Sequence, residues 1–259
     1  LGLGGLVSGG TYLSSFNLQS MATQVPEIGL LAIGVMLAMC AGNGGIDLSG
    51  IANANMSSVA SGIFTLSFFD PYQDPVSFTV VFAIGCMMIG LLAGVLNGII
   101  ISQFSITPIL ATLGTQMLFT GFAVVLSNGR SVTVGAPDPL YELGNGLLFG
   151  VPIGFMIFIT IGIILSVVLK FTPYGMRLML TGANPKAAIY SGFPIGRIII
   201  TTYAISGLLA GVAGIIIAAR NINVKWDYGT SYLLVAILIA VMAGVRPEGG
   251  YGRVVNVMF

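Results

Sequence analysis

Between Pro75 and Gly129 the sequence reads PVSFTVVFAIGCMMIGLLAGVLNGIIISQFSITPILATLGTQMLFTGFAVVLSNG, 55 residues without an Asp, Glu, Lys or Arg. A helix crosses a bilayer core with about 20 mostly apolar residues, so this run holds two crossings. The turn between them falls at Ser102–Pro108 (SQFSITP), because Pro108 suits the first turn of a new helix, where its missing N–H costs nothing. Uncharged runs recur on both sides, at Ile28–Ile46, Leu48–Phe69, Leu143–Leu169, Ile198–Ala219 and Tyr228–Val245. The expected fold is all-α, a polytopic transmembrane helical bundle forming one domain over residues 1–259. It has about seven full spans and a truncated span at each end. Leu1–Val7 reads as the tail of an earlier span, the residues after Arg253 as the start of a further one, and Asn17–Gln24 as a short interfacial helix.

Composition agrees. The chain is 56% hydrophobic and 7% charged, with a mean hydropathy of +1.02, where soluble domains carry about 25% charged residues. A net charge of +1 gives no electrostatic case for nucleic acid. There is no His, and Cys40 and Cys86 lie inside apolar runs, where they read as small packing residues. No GxxxxGK[ST] loop, catalytic dyad, metal cluster or chain of intramembrane acids is legible, so the chain reads as a non-enzyme without a cofactor.

Lys and Arg in short loops orient a membrane protein. Alternation of the spans puts Lys170, Arg177, Lys186, Arg197, Arg246 and Arg253 on one side and Arg130, Arg220 and Lys225 on the other. The segment 170–197 is therefore expected in the cytoplasm. One internal echo stands out: GLLAGVLNGIII at Gly90–Ile101 and GLLAGVAGIII at Gly207–Ile217 run in opposite directions, and both carry glycines four apart, the spacing that lets helices approach closely.

Polar groups within the spans are the candidates for a path. The break GNGGIDLSG (Gly42–Gly50) cannot be lipid-exposed helix; such backbone is tolerated against protein or a water-filled cavity. Asn43, Asp47, Ser49, Asn53, Asn55, Asn97, Thr112, Thr115 and Gln116 together suit a neutral, hydroxyl-rich solute. The competing readings are structural: Asp47 or Ser49 caps the next span, and each hydroxyl bonds its own helix backbone.

TGANPKAAIYSGFPIGR (Thr181–Arg197) encodes a short helix between two spans. Asn184 is a suitable N-cap, Pro185 takes the first helical position, Lys186, Ala187, Ala188, Ile189 and Tyr190 carry about two turns, and after Ser191 the left-handed conformation open to Gly192 ends the helix and Pro194 prevents its resumption. Two turns are not stable alone in water, so the segment rests on something: the membrane surface or another protein.

Several stretches together resemble the permease subunits of bacterial ABC importers for monosaccharides, of the ribose/xylose/galactose type. They are GGIDLS (Gly44–Ser49), GLLAGVLNGIIIS (Gly90–Ser102), ITPILATLGTQMLFTGFAVVLSNG (Ile106–Gly129), TPYGMRLMLTGANPKAAIYSGFPIGR (Thr172–Arg197), SGLLAGVAGIIIAAR (Ser206–Arg220) and GGYGR (Gly249–Arg253). Where many members read GGTS followed by GGRGS, this chain has AGVRPEGGYGR (Ala243–Arg253), and the family usually continues for two or so further spans. The resemblance implies a coupling loop over 171–197, with residues 184–192 docking on a separate ABC ATPase subunit. Ala187 and Ala188 would permit its close approach. It also implies a second permease subunit, a periplasmic sugar-binding protein and a bacterial inner membrane whose lipid surrounds the chain. An ion-coupled secondary transporter and a non-transporting structural subunit are the alternatives.

Overall fold

In a computed structural model, residues 14–259 are described; the span tail expected at Leu1–Val7 lies outside them. The first helix, α1 (Ser15–Cys40), is capped by the Ser14 hydroxyl, which accepts from Asn17 N–H. The interfacial helix expected at Asn17–Gln24 is not separate but is the start of α1. Pro26 removes one backbone hydrogen bond without ending the helix, because residues 29–42 are buried without interruption and hold the chain in place.

After the break at 41–49 come α2 (Gly50–Leu66), α3 (Pro75–Phe104) and α4 (Pro108–Ser127). Next are β1 (Val132–Thr133), α5 (Asp138–Asn145), β2 (Leu147–Leu148), β3 (Val151–Pro152) and α6 (Ile153–Phe171). Then follow α7 (Pro173–Ala183), α8 (Pro185–Tyr190), α9 (Ile195–Asn221), β4 (Asn223–Val224), α10 (Tyr232–Met242) and α11 (Val254–Met258). The starts are written in the sequence: α3, α4, α7 and α8 each open on a proline. The two-residue strands, absent from the all-α expectation, pair β1 with β4 and β2 with β3, both antiparallel.

Each of the seven expected spans holds one helix, two of them in the run Pro75–Gly129, but among the described residues only five helices (α1, α3, α4, α6 and α9) are long and apolar enough to cross a membrane. Helix α2 has 17 residues and α10 has 11, short of the count of seven full spans. An uncharged residue is not a helical one: Gly44 and Gly45 precede α2, and Gly244, at φ +81°, follows α10.

The two ends of the bundle differ. At one end the turn 102–108 faces Ile189 and Phe193 across a crevice, and the breaks 41–49 and 243–253 meet α7. At the other end β1 pairs with β4, and Trp226 Nε1 donates to the Gly129 carbonyl. The first end carries the six basic residues assigned to one side of the membrane, against Glu248 and the buried Asp47.

The two echo segments pack on each other in the middle of the bundle, where α3 and α9 cross antiparallel. A Cβ on Gly90 would lie 2.5 Å from the Gly207 carbonyl oxygen, and one on Gly207 would lie 2.7 Å from Gly94 Cα. Backbone rests on backbone, and no side chain fits between. Overpacking a tight site costs 1–3 kcal/mol, and here nothing flexible can yield, so Gly207→Leu should destabilise by about 3 kcal/mol or more. Gly121→Leu on α4, where an added Cβ meets nothing within 4 Å, should be nearly neutral. Thermal unfolding in detergent compares them, and equal melting temperatures would show that the crossing does not hold the bundle.

Candidate translocation and coupling elements

The break 41–49 is a buried knot. Asp47, 3% exposed, accepts at Oδ1 from the Ser49 N–H (3.0 Å) and the Ser49 hydroxyl (2.7 Å), and at Oδ2 from the Ser206 hydroxyl (2.7 Å). Asn97 Nδ2 donates to Ser49 Oγ at 2.7 Å. Thr112 Oγ1 accepts from the Leu48 N–H (3.2 Å) and lies 3.0 Å from the Ile46 carbonyl. One short segment thereby ties α3, α4 and α9 together. Ser49 is the N-cap residue of α2 but makes no side-chain cap bond. Its hydroxyl is already engaged by Asp47 and Asn97, so the capping reading fails for Ser49, while Asp47 does accept a backbone N–H at the start of α2, that of Ser49. The free space beside Asp47, bordered by Gly34, Gly50 and Ser206, is about 10 Å³, room for about one water and for no sugar.

The other path candidates scatter. Asn53 Nδ2 donates to the Gly90 carbonyl (3.1 Å), and Asn55 Nδ2 to the carbonyls of Trp226 (3.1 Å) and Tyr228 (2.8 Å). Thr115 bonds its own helix backbone, at Ala111 and Thr112. Gln116 is half-buried on α4, and Asn43, at φ +57°, is exposed and borders a crevice of about 570 Å³ beside α8. The structure thus brings Asp47, Ser49 and Asn97 into one network, with Asn53, Asn55 and Thr115 sealed elsewhere. Asn43 and Gln116 keep open surface.

Helix α8 forms as its residues dictate. Asn184 Oδ1 accepts from Ala187 N–H at 3.0 Å, Pro185 opens the helix, and Gly192 takes φ +73°. Of the two alanines only Ala187 faces outward. Ala188 is 3% exposed and packs inward, a correction to the expectation that both face a partner. Lys186 and Ser191 are also exposed, and the outer face shows Ile189 and Tyr190, the latter 91% exposed. Just before it, Gly182 of α7 touches both breaks: a Cβ there would meet the Cys40 carbonyl and lie 2.5 Å from Gly250 N, and a Cβ on Gly42 would lie 2.9 Å from Gly182 Cα. Helix α7 is also fixed to α9 by the Tyr174 hydroxyl, 2.9 Å from Thr202 Oγ1. Burial pushes the Tyr174 phenol up to about 12, so it stays neutral.

Sequence reasoning passed over three participants: Ser206, Gly182 and the Glu27–Arg220 pair. Arg220 Nε lies 2.9 Å from Glu27 Oε1, with the Glu27 side chain 1% exposed. The signal was present in Arg220, a cation on the side that the charge rule leaves poor in cations; its partner comes from a helix almost two hundred residues earlier.

A multi-pass helical membrane protein with a tightly knotted interior and an exposed short helix at its basic end has the form of a transport permease. A family model described as "Branched-chain amino acid transport system / permease component" matches residues 17–259, and the chain belongs to that family. The ribose import permease protein RbsC of Bacillus subtilis (strain 168) is 32% identical over 249 residues, covering 96% of this chain and 74% of that protein. The autoinducer 2 import system permease protein LsrD of Photorhabdus luminescens is 29% identical, over 88% of this chain and 67% of its own length. LsrD of Escherichia coli (strain K12) is 28% identical, over 88% and 68%. No solved structure matches the chain.

The knot makes a graded prediction. Interhelical hydrogen bonds in membranes average about 0.6 kcal/mol, so Asp47→Leu, which removes three acceptor contacts, should cost about 2 kcal/mol. Asp47→Asn keeps an acceptor for Ser49, and the Ser206 hydroxyl can turn to accept from the new amide, so the loss should be under about 1 kcal/mol. Asp47→Ser still reaches Ser49 but loses Ser206 and should fall between them. Melting temperatures in detergent give the order; a silent Asp47→Ser would reduce the residue to a local cap.

Proposed function

We propose that this chain is the transmembrane subunit of an ATP-driven importer of a small sugar in a bacterial inner membrane. ATP is hydrolysed on a separate ABC ATPase subunit, a periplasmic binding protein delivers the sugar, and a second permease subunit completes the pathway. The import permeases for ribose and autoinducer 2 support this reading by their similarity over most of the chain. The observation that carries it is α8. Its inner residue, Ala188, anchors it, while Ile189 and Tyr190 stand out at the bundle's basic end. Exposed Tyr is the residue type that dominates binding hot spots.

The route from this helix inward is short. A push on α8 reaches Gly182, and through it the end of α1 and the turn after α10. Binding and hydrolysis on the partner would shift the population between two packings of these elements. Helices α2 and α10, too short alone, would complete their crossings with the irregular backbone of the adjacent breaks, which is buried against protein. In this conformation the sealed amides hold helices together, so Asn43 and Gln116 are the path candidates that a solute can reach. The pathway would run along a face that the second subunit closes.

The coupling assignment is tested by Tyr190→Ala and Ile189→Asp in the full-length subunit co-expressed with its partners. Both side chains are exposed, so insertion and folding should be unchanged. Losing a hot-spot Tyr costs about 2 kcal/mol, so ATPase recovery on co-purification should fall about 30-fold, with uptake falling in parallel. Wild-type recovery and uptake in both variants would end the assignment.

Sidedness is tested separately. Cysteines placed by Ser191→Cys and Asp138→Cys, in a background lacking Cys40 and Cys86, should report opposite faces. An impermeant thiol reagent outside spheroplasts should label position 138 and spare 191; the reverse pattern, or labelling of both, would overturn the orientation.

A further inference from the structure

Where α6 leaves the membrane, the last turn of its span, the Met179 face of α7 and the segment 250–256 enclose a crevice of about 520 Å³. That volume lies within the range of small-molecule sites. Lys170 enters it from the last turn of α6 and Arg253 from the start of α11. Neither makes an ion pair among the described residues, where the pairs are Glu27–Arg220 and Lys225–Asp227. No carboxylate lines the crevice, and Glu248, the acid of the neighbouring turn, is exposed outside it. Two cations therefore face one space with no anion to meet them among the described residues.

The surface below the crevice is apolar. Ile163, Val167 and Lys170 follow at helical spacing along one face of α6, and Ile163 and Val167 are exposed at 55% and 48%. Phe171, beside Lys170, is 71% exposed and extends this apolar surface to the end of the span. Leu169 and Met179 add apolar walls within the crevice itself.

We propose that this crevice binds the phosphate headgroup of an anionic phospholipid, its acyl chain lying along the Ile163–Val167 face of α6. A guanidinium matches a phosphate as a two-pronged donor, while an ammonium serves it as a point charge. The shape fits an amphiphile, with a cationic pocket at the end of an exposed apolar stripe. An acidic surface of a soluble protein partner fits less well, because Lys170 belongs to the last turn of a membrane span rather than to a projecting loop.

The experiment is native mass spectrometry of the full-length permease in detergent, titrated with phosphatidylglycerol or phosphatidylcholine. The wild type should retain phosphatidylglycerol preferentially. Lys170→Gln and Arg253→Gln, both at exposed positions, should each weaken it roughly fivefold without changing phosphatidylcholine retention. Arg253→Lys, which keeps the charge, should retain most of the preference and so separates loss of the site from loss of the fold. Equal retention of the two lipids, or no effect of the Gln variants, would overturn the proposal. So would displacement of phosphatidylglycerol by soluble glycerol phosphate at comparable concentration, since that would mark a site for a free phosphate ester.

Discussion

In lipid, two apolar helices gain nothing by hiding from water, so helix association has to come from close packing and hydrogen bonds. The crossing of α3 and α9 supplies both at one place. Glycines 90 and 94 on one helix and 207 and 211 on the other let the backbones touch. Several of the buried polar groups gather round that contact. Asn53 donates to the carbonyl of Gly90 itself. Asn97 lies three residues beyond Gly94, and Ser206 immediately precedes Gly207, and these two hold the Asp47–Ser49 segment between them. Were the helices held further apart by a single methyl group, the break 41–49 could not reach both.

The same device recurs at the basic end with a different consequence. Gly42, Gly182 and Gly249 meet backbone to backbone, so the end of α1, the end of α7 and the turn after α10 cannot move past one another through soft side chains. A joint of this kind transmits displacement, because packed interiors are stiff. Helix α8 hangs from it by one residue, Asn184, and turns its apolar residues outward.

Charge divides the molecule as sharply as packing does. At the end bearing α8, six cations stand with no ion pair among the described residues, while at the other end two of the three cations are paired, as Glu27–Arg220 and Lys225–Asp227. A cation buried against helices needs an anion beside it, and one at an interface can meet lipid phosphate instead. Arg220, on the cation-poor side, still counts against the charge rule, and its anion is Glu27.

Some of this was legible before any coordinates. Long uncharged runs decided helices in lipid, since apolar runs of about 20 residues satisfy their own backbone there as helix, and prolines 108 and 185 marked two helix starts because the first turn tolerates a missing N–H. Helix α8 was readable to the residue, from Asn184 to Gly192, because capping and termination are local. Span lengths were not, since charge is silent about where glycine ends a helix, as it does before α2 and after α10. Nor could one dimension show that Asp47 bonds Ser206, that Glu27 faces Arg220, or that Ala188 turns inward while Ala187 turns out. Those contacts join residues distant in the chain, or depend on which face of a helix meets a neighbour, and only the packed helices fix either.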